Sequence, residues 1–302
     1  MNDTALLHEL LPAVETLAER HISSSKEWFP HELVPWSRGR DFEPGVDWDP
    51  NEYPLPDAVR SALFVNLLTE DNLPYYFSTI DRVFGGEAWG VWARRWTAEE
   101  NRHSIVIRDW LTVTRAIDPV ALERARMHQV SGGVVPEPET VPECLVYVTL
   151  QELATRVSHF NTGRQLNDPA GTKIMDRVAA DENLHYLFYR GMTDAALEFD
   201  PSAVVCAIES QVRTFEMPGT GILDFAAHAS AIAAAGIYDF LIHHDKVLMP
   251  VVIRHWKIDQ LEGLTPEAEQ ARDKVLHQIE RIEKVGKRLA ERSAERVKEP
   301  VG

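Results

Sequence analysis

The sequence predicts an all-α protein built on a four-helix bundle, and two observations lead to this prediction. Helical periodicity runs through nearly the whole chain, and no segment alternates apolar and polar residues as a sheet strand does. A set of acidic and histidine residues also occurs twice, with each member repeated 82 residues further along: Glu70, Glu100 and His103 recur as Glu152, Glu182 and His185. A glutamate from each of two helices and a Glu-x-x-His from each of two others form the ligand set of a carboxylate-bridged di-iron bundle.

The predicted turns support this arrangement. If the two glutamates of the first half lie on antiparallel helices at one level, the chain must reverse midway between them, and Gly85-Gly86 stands there. The midpoint of the second half falls in residues 167–171, Asn-Asp-Pro-Ala-Gly, which is also a turn sequence. Because about 15 residues of helix rise about 22 Å, each hairpin leaves the level of the site and returns to it.

The elements can be predicted in order from periodicity and from capping residues. An amphipathic helix is expected at 4–21, and the Pro- and Trp-containing stretch 28–56 is expected to wrap the surface in extended form. The bundle helices are predicted at 57–84, 87–116, 142–166 and 169–198, with a shorter helix at 119–129 between the hairpins. Four later helices are predicted at 201–216, 221–242, 243–257 and 266–298. Asp200-Pro201 and Thr265-Pro266 each place a capping residue before a proline that can open a helix.

One elaborated domain is expected over residues 1–302. Its parts would be an N-terminal helix and wrapping segment at 1–56, the metal-binding bundle at 57–198, and accessory helices at 199–302. A chain of 302 residues is long enough to bury a large core in one domain.

Composition excludes several classes of partner. The net charge of -16 argues against nucleic acid and anionic membrane surfaces. No apolar run is long enough for a transmembrane span, and the first residues lack the basic and apolar regions of a signal peptide. Only Cys144 and Cys206 are present, which is too few for a disulfide framework and indicates a reducing compartment. We therefore expect a cytoplasmic protein.

The six repeated residues suit a pair of first-row metal ions. A set of four carboxylates and two imidazoles favours iron or manganese, whereas structural zinc sites close at four ligands and often use cysteine. A single Glu-x-x-His would be explained equally well by polar residues in a long helix, but six residues repeated at one interval are not. We expect two ions per chain, with iron (Fe²⁺) as the first choice.

Three further residues are candidates for contacts around the metals. Glu99 and Asp181 directly precede the ligand glutamates of the two halves, and each can accept a hydrogen bond from a ligand histidine or lie solvated on its helix surface. Thr155 lies one turn beyond Glu152 on the same helix face. Its hydroxyl can reach the metal site or bond a carbonyl one turn back, and the sequence leaves both open.

Four segments resemble one known family. Residues 89–103, Trp-Gly-Val-Trp-Ala-Arg-Arg-Trp-Thr-Ala-Glu-Glu-Asn-Arg-His, resemble the third-helix motif of the soluble stearoyl-acyl carrier protein desaturases. Residues 151–164 resemble the helix that carries the fourth ligand of that family, and residues 69–76 and 256–264 also match. The resemblance extends over most of the chain, from about residue 20 to about residue 290.

The resemblance implies a fold, an activity and partners. It implies a ferritin-like four-helix bundle core with additional helices, and dioxygen-dependent insertion of a cis double bond into an acyl chain carried on acyl carrier protein (ACP). It also implies a homodimer that receives electrons from ferredoxin or a similar donor. The ligands it implies are the six residues already named, and it places Thr155 beside the oxygen-binding face, where it would assist proton delivery. Trp28 would begin an electron route through Asp181 to His103, although taken alone it is an ordinary packing residue.

The resemblance also implies an apolar substrate tunnel and a docking surface for the carrier. The residues expected to line the tunnel, which would be ordinary core residues in any bundle, are Leu73, Tyr76, Thr79, Val83, Cys144, Leu145 and Val148. Where plant relatives have an Arg-Lys-Lys cluster before Met-Pro, residues 211–218 keep only Arg213, which we expect to contact the carrier. Arg82 and Cys144 replace smaller neutral residues near the expected tunnel end, so chain length and double-bond position do not transfer.

Three functions fit the sequence. The favoured one is an acyl-ACP desaturase. The second is a di-iron oxygenase, a hydroxylase or N-oxygenase, that acts on another substrate, because a fold does not fix its function. The third is non-catalytic metal binding in the manner of ferritin, which would leave the wrapping segment and the C-terminal helices without a role.

Overall fold

A computed structural model describes residues 2–298 of the protein, with side chains described as far as residue 292. These residues form helices joined by turns and contain no β-strand, so the predicted all-α fold class is confirmed. The domain predicted at 1–302 extends beyond the described residues at both ends, and its boundaries stay a prediction.

The N-terminal region forms short helices that pack against the bundle. Helix α1 spans Asp3–Glu9 and α2 spans Leu11–Ser24, so the helix predicted at 4–21 is interrupted. The break falls where Pro12, which has no N–H, cannot continue the hydrogen-bond ladder of α1. In the wrapping segment, one helical turn (α3, Pro30–Leu33) and one 3-10 turn (Trp36–Arg38) interrupt a chain that is otherwise irregular.

Five helices build the bundle, because one predicted helix is divided in two. They are α4 (Asp57–Asp71), α5 (Leu73–Phe84), α6 (Glu87–Thr114), α8 (Val141–Gln165) and α9 (Pro169–Phe199), with α7 (Pro119–Gly132) between the hairpins. Pro74 offers no N–H to the carbonyl of Glu70, so the helix predicted at 57–84 breaks at Asn72. Helices α4 and α9 each pack against both α6 and α8. Both hairpin turns fall where they were predicted.

The C-terminal region departs most from the prediction. Its helices are α10 (Pro201–Thr214), α11 (Phe225–Ala234), α12 (Phe240–His243) and α13 (Pro266–Lys298). The helix predicted at 221–242 is wrong as one element, because the backbone adopts positive φ at Asp224 (φ +58°) before α11 and at Gly236 (φ +67°) after it. Residues His244–His255 form a π-helix that contains Pro250, and Ile258–Gln260 form a 3-10 turn.

The two large apolar clusters of the described residues lie on opposite sides of a polar layer, and a third, small cluster joins α10 to α13. One cluster includes Trp89, Trp92 and Trp96 near the start of α6, and the other includes Ile107 and Trp110 near its end. The residues of α6 that separate these clusters carry the predicted Glu-x-x-His. Within the described part of the chain, no helix has both the length and the apolar character needed to cross a membrane.

Candidate metal centre

The structure brings all six predicted ligand residues together in the polar layer. Their side chains are buried, with exposures from 0 to 7%. They form two groups whose ligand atoms lie within 4.8 Å of one another: Glu70, Glu100, His103 and Glu182 in one, and Glu100, Glu152, Glu182 and His185 in the other. Glu100 and Glu182 belong to both groups. Each half of the chain therefore contributes one carboxylate that can bridge two metal positions.

Each histidine directs one ring nitrogen into the cluster. His185 Nδ1 lies 2.7 Å from Glu100 Oε1 and 3.6 Å from Glu152 Oε2. His103 Nδ1 lies 3.2 Å from Glu100 Oε2 and 3.4 Å from Glu182 Oε1. In both halves the Glu-x-x-His spacing places a carboxylate and an imidazole on the same helix face.

Four buried side-chain atoms of the six residues lack a hydrogen-bond partner among the described residues, and one of them, His103 Nε2, faces Asp181. The other three are Glu100 Oε1, Glu152 Oε2 and His185 Nδ1; Glu100 Oε1 and His185 Nδ1 lie 2.7 Å apart but are not aligned as a hydrogen bond. Buried polar atoms almost always have a hydrogen-bond partner, so several unpartnered atoms in one place need an explanation. All three are lone-pair donors of the kind that first-row metal ions bind, and the residues therefore fit a di-metal centre.

Electrostatics in the cluster also favour a cation. Burial and the neighbouring Glu182 carboxylate raise the pKa of Glu152 well above its usual range. Burial alone would lower the pKa of His103 and His185, but the charge of Glu100 and hydrogen bonds to the surrounding carboxylates together outweigh it and raise both pKa values. The raised pKa values mean that protons are held in the cluster. Two divalent metal ions, with a total charge of +4, would neutralise the four carboxylates in place of these protons.

The second nitrogen of each histidine faces an acid from the opposite half of the chain. His185 Nε2 donates to Glu99 Oε2 at 3.1 Å, and His103 Nε2 lies 3.5 Å from Asp181 Oδ2. Burial would raise the pKa of Glu99, but hydrogen bonds from His185 and His21 hold it below its usual range. Neither acid is solvated, since Glu99 is 3% and Asp181 2% exposed.

Trp28 lies at the outer edge of this layer. Its Nε1 donates to Asp181 Oδ2 at 2.7 Å, and the guanidinium of Arg102 stacks 4.8 Å from its ring centroid. The indole, Asp181 and His103 thus form a continuous chain of contacts, while Trp28 also packs in the apolar core.

Thr155 makes both contacts that the sequence left open. Its hydroxyl lies 3.2 Å from Glu182 Oε2, and it also lies 3.1 Å from the carbonyl of Glu152 in its own helix. The side chain is 6% exposed and borders both cavities described below.

Three residues at the centre were not predicted from the sequence. His159 Nε2 donates to Glu70 Oε1 at 3.0 Å, Trp96 Nε1 donates to Glu152 Oε1 at 3.0 Å, and His21 Nε2 donates to Glu99 Oε2 at 2.7 Å. His159 follows Glu152 by seven residues, and this spacing on one helix face indicates a position at the site. His21 has no such indication, because its position depends on how α2 packs.

An apolar cavity opens beside the carboxylates, and it contains five of the seven predicted tunnel residues. Those five are Leu73, Tyr76, Thr79, Cys144 and Val148. Leu145 instead points into the core, where it is fully buried, and Val83 packs partly buried against the same core. Arg82 is exposed to solvent. Burial raises the pKa of the Cys144 thiol to about 12, so it remains neutral.

A second cavity reaches the centre from the direction of α11. It shares Thr69, Glu70 and Thr155 with the first cavity and continues past Ser158 and His159 to Met217, Pro218, Phe225 and Tyr238. The two cavities therefore share a wall formed by Thr69, Glu70 and Thr155.

Arg213 lies near the end of α10 with its side chain about half exposed. Its Nε donates to Glu209 Oε1 at 3.0 Å. A neighbouring surface groove is lined by four glutamates, Glu137, Glu139, Glu143 and Glu216. The local charge around this groove is therefore negative, and the role of Arg213 stays a prediction.

Comparisons with known proteins identify the relatives of this chain. The sequence profile of a family described as fatty acid desaturase matches residues 2–301. DesA1 of Mycobacterium tuberculosis, named as an acyl-ACP desaturase, is 42% identical over 294 residues, which cover 94% of this chain and 87% of that protein. The chloroplastic stearoyl-ACP 9-desaturase of Ricinus communis is 29% identical over 316 residues, covering 96% of this chain and 78% of the plant protein.

A solved structure is also similar. The X-ray structure of DesA2 from Mycobacterium tuberculosis H37Rv superposes with a TM-score of 0.71 at 29% identity, and DesA2 is likewise named as an acyl-ACP desaturase. The superposition covers 88% of this chain and 99% of that one. The chain therefore belongs to the fatty acid desaturase family, among its acyl-ACP desaturases.

Proposed function

We propose that this protein is an oxidoreductase that desaturates an acyl chain carried on ACP. The reaction would occur at two iron ions held by the six residues of the cluster. The observation that carries the proposal is that two cavities border the carboxylate cluster and share Thr69, Glu70 and Thr155 as lining residues. An extended chain that runs through both would present its methylenes to Glu70 and Thr155.

The residues divide the metal binding evenly between the two halves. Glu70 and His103 would hold one ion, Glu152 and His185 the other, and the carboxylates of Glu100 and Glu182 would bridge them. When bound, a pair of ferrous ions supplies the reduction of dioxygen to an oxidant strong enough to remove hydrogen from an unactivated methylene. Manganese fits the same donor set.

The protein would orient the acyl chain and exclude water. Leu73, Val148 and the other apolar residues of the first cavity would hold the methyl end of the chain by burial. The hydroxyl of Thr155 can hold a proton between Glu182 and the cavities that it borders. Fixed geometry of this kind allows two adjacent hydrogens to be removed in sequence from one position of the chain.

Electrons would enter at Trp28, at the outer edge of the polar layer. The contacts from Trp28 through Asp181 to His103 connect the wrapping segment to the centre, and ferredoxin or a similar protein would be the donor. The resemblance to the desaturases supports this donor and supports a homodimer. A cytoplasmic location, expected from the composition, is likewise part of the proposal.

The test is a single-turnover reaction of the iron-loaded protein. Anaerobic loading with Fe²⁺ and reduction, followed by dioxygen and stearoyl-ACP or palmitoyl-ACP, should give an acyl product that has lost two hydrogens. Mass analysis of the released acyl chains distinguishes this product from a hydroxylated one, which would show an oxygenase. The same acyl groups on coenzyme A test whether the carrier protein is required.

Two variants serve as controls. Glu182→Ala should bind fewer than two ions and form no product, whereas Glu198→Ala, an exposed position on the same helix, should behave as the wild type. Iron stored far in excess of two ions per chain, without product, would show a ferritin-like function and contradict the proposal.

A further inference from the structure

The surroundings of the two ligand histidines are built from corresponding residues of the two halves. Glu99, which accepts from His185, and Asp181, which faces His103, stand at equivalent repeat positions, and each serves the histidine of the other half. An arginine four residues before each acid completes the correspondence, because Arg95 pairs with Glu99 just as Arg177 pairs with Asp181.

The outermost partner is different in the two networks. Asp181 accepts a hydrogen bond from Trp28 Nε1 at 2.7 Å, and Glu99 accepts one from His21 Nε2 at 2.7 Å. Trp28 belongs to the wrapping segment, whereas His21 belongs to α2. The network of Glu99 and His185 is therefore completed by a helix that lies outside the bundle.

His21 is placed as part of the centre rather than as a surface residue. It is 4% exposed, it meets the Trp92 ring edge-on with centroids 4.9 Å apart, and it stacks on His185 at 5.6 Å and 19°. Its Nε2 and that of His185 both contact the same oxygen of Glu99, Oε2. Arg95 holds the other oxygen, Oε1. Without His21, Oε2 of Glu99 would keep only its contact with His185.

We propose that His21 is a positioning residue for the metal ion that His185 binds. His21 fixes the Glu99 carboxylate, and Glu99 fixes the Nε2–H tautomer and ring orientation of His185, which leaves Nδ1 directed into the cluster. This inference rests on the proposed di-metal centre. It adds that packing of α2 completes one metal position, while the wrapping segment, through Trp28, completes the other.

Anaerobic titration of the full-length protein with Mn²⁺, followed by calorimetry and electron paramagnetic resonance, tests the inference. His21→Leu should weaken one of the two ions about 10- to 100-fold, the usual cost of losing an outer partner of a metal ligand, and leave the other unchanged. His21→Gln, whose amide N–H can reach Glu99 in place of Nε2, should restore the affinity to within a few-fold of the wild type.

Background variants identify which ion is affected. In a His185→Ala background, His21→Leu should have no further effect on the remaining ion, whereas in a His103→Ala background it should weaken that ion. Trp28→Phe should weaken the remaining ion in the His185→Ala background and have no further effect in the His103→Ala background.

Three outcomes are decisive. Wild-type affinity for both ions in His21→Leu would overturn the inference. Equal weakening of both ions together with a lower melting temperature of the metal-free protein would also overturn it, since that pattern shows a merely structural role. A wild-type protein that binds no ions would contradict the di-metal proposal itself.

Discussion

At the scale of single residues, Thr155 is the side chain that joins the metal cluster to both cavities. We expect Thr155→Val to lower kcat about 10- to 100-fold, in the range observed for groups that contact metal ligands, with two ions still bound. The reason is that valine keeps the shape of threonine but cannot donate to Glu182. Turnover with saturating acyl-ACP, together with metal analysis, measures this effect.

Thr155→Ser is the matched control for that variant. Serine keeps the hydroxyl and should retain most of the activity. If Thr155→Val turned over at the wild-type rate, the hydroxyl would serve only its own helix.

His243 provides a residue-scale prediction for pH. Burial, with a smaller contribution from His244, lowers the pKa of His243 to about 4, and its neutral Nδ1 accepts from the Tyr238 hydroxyl at 2.8 Å. The unfolded state takes up this proton near pH 6.5, so the free energy of unfolding should fall between pH 6.5 and pH 4 by about 1.4 kcal/mol per pH unit.

Comparison with His243→Asn isolates this contribution. Asparagine does not titrate, so the slope of unfolding free energy against pH should be shallower in the variant by about one proton. Urea unfolding at pH 7, 6 and 5 measures both slopes, and equal slopes would mean that His243 is protonated in the folded state.

At the scale of elements, the approach of α9 to α6 depends on Gly171. A Cβ at this position would lie 2.8 Å from the ring of Trp110, which is fully buried. Gly171→Ala should therefore destabilise the protein by about 1 to 3 kcal/mol, the usual cost of overpacking a core. Denaturant unfolding measures the change.

Gly132→Ala near the end of α7 is the control, since nothing lies within 4 Å of a Cβ there. It should be neutral or slightly stabilising. If Gly171→Ala proved equally neutral, the spacing of α6 and α9 would not be set by this contact.

At the scale of the whole molecule, metal binding should stabilise the fold. Four buried carboxylates lie in one layer of the bundle, and divalent ions that bind only the folded state add about 2.7 kcal/mol per site when present at 100 times Kd. Anaerobic addition of Fe²⁺ or Mn²⁺ should raise the melting temperature, and a chelator should reverse the change. The melting temperature of Glu182→Ala should respond much less.

The overall charge leads to a prediction about the carrier. A protein of net charge -16 repels an acidic carrier, and Arg213 is the basic residue that we expect to contact it. Arg213→Glu should raise KM for acyl-ACP several-fold, leave kcat nearly unchanged, and lose part of this effect at high salt.

Lys173→Glu makes the same charge change at an exposed position near the start of α9 and should leave KM close to wild type. An unchanged KM for Arg213→Glu at low ionic strength would place the docking surface elsewhere. Lys284, Lys287 and Arg288 on α13 would then be the next candidates.

The sequence by itself determined the bundle and the residues that converge in it. The six ligand-type residues repeat at one interval, and turn residues stand midway in each half. Helix geometry then leaves only one way for both hairpins to return to the same level. The sequence also named Glu99 and Asp181 from their equivalent repeat positions, but it left open whether they accept hydrogen bonds from the histidines or lie solvated.

Tertiary structure alone decided the features that depend on how separate elements meet. His21 comes from a helix whose packing on the bundle no local pattern specifies, and Leu145 points into the core instead of the cavity because of the rotation of α8. The breaks at Asp224 and Gly236 on either side of α11 and the π-helix at His244–His255 also escaped prediction, since their sequence reads as continuous helix. Local propensity and spacing act within one element, whereas these positions are set by contacts between residues that are distant in the chain.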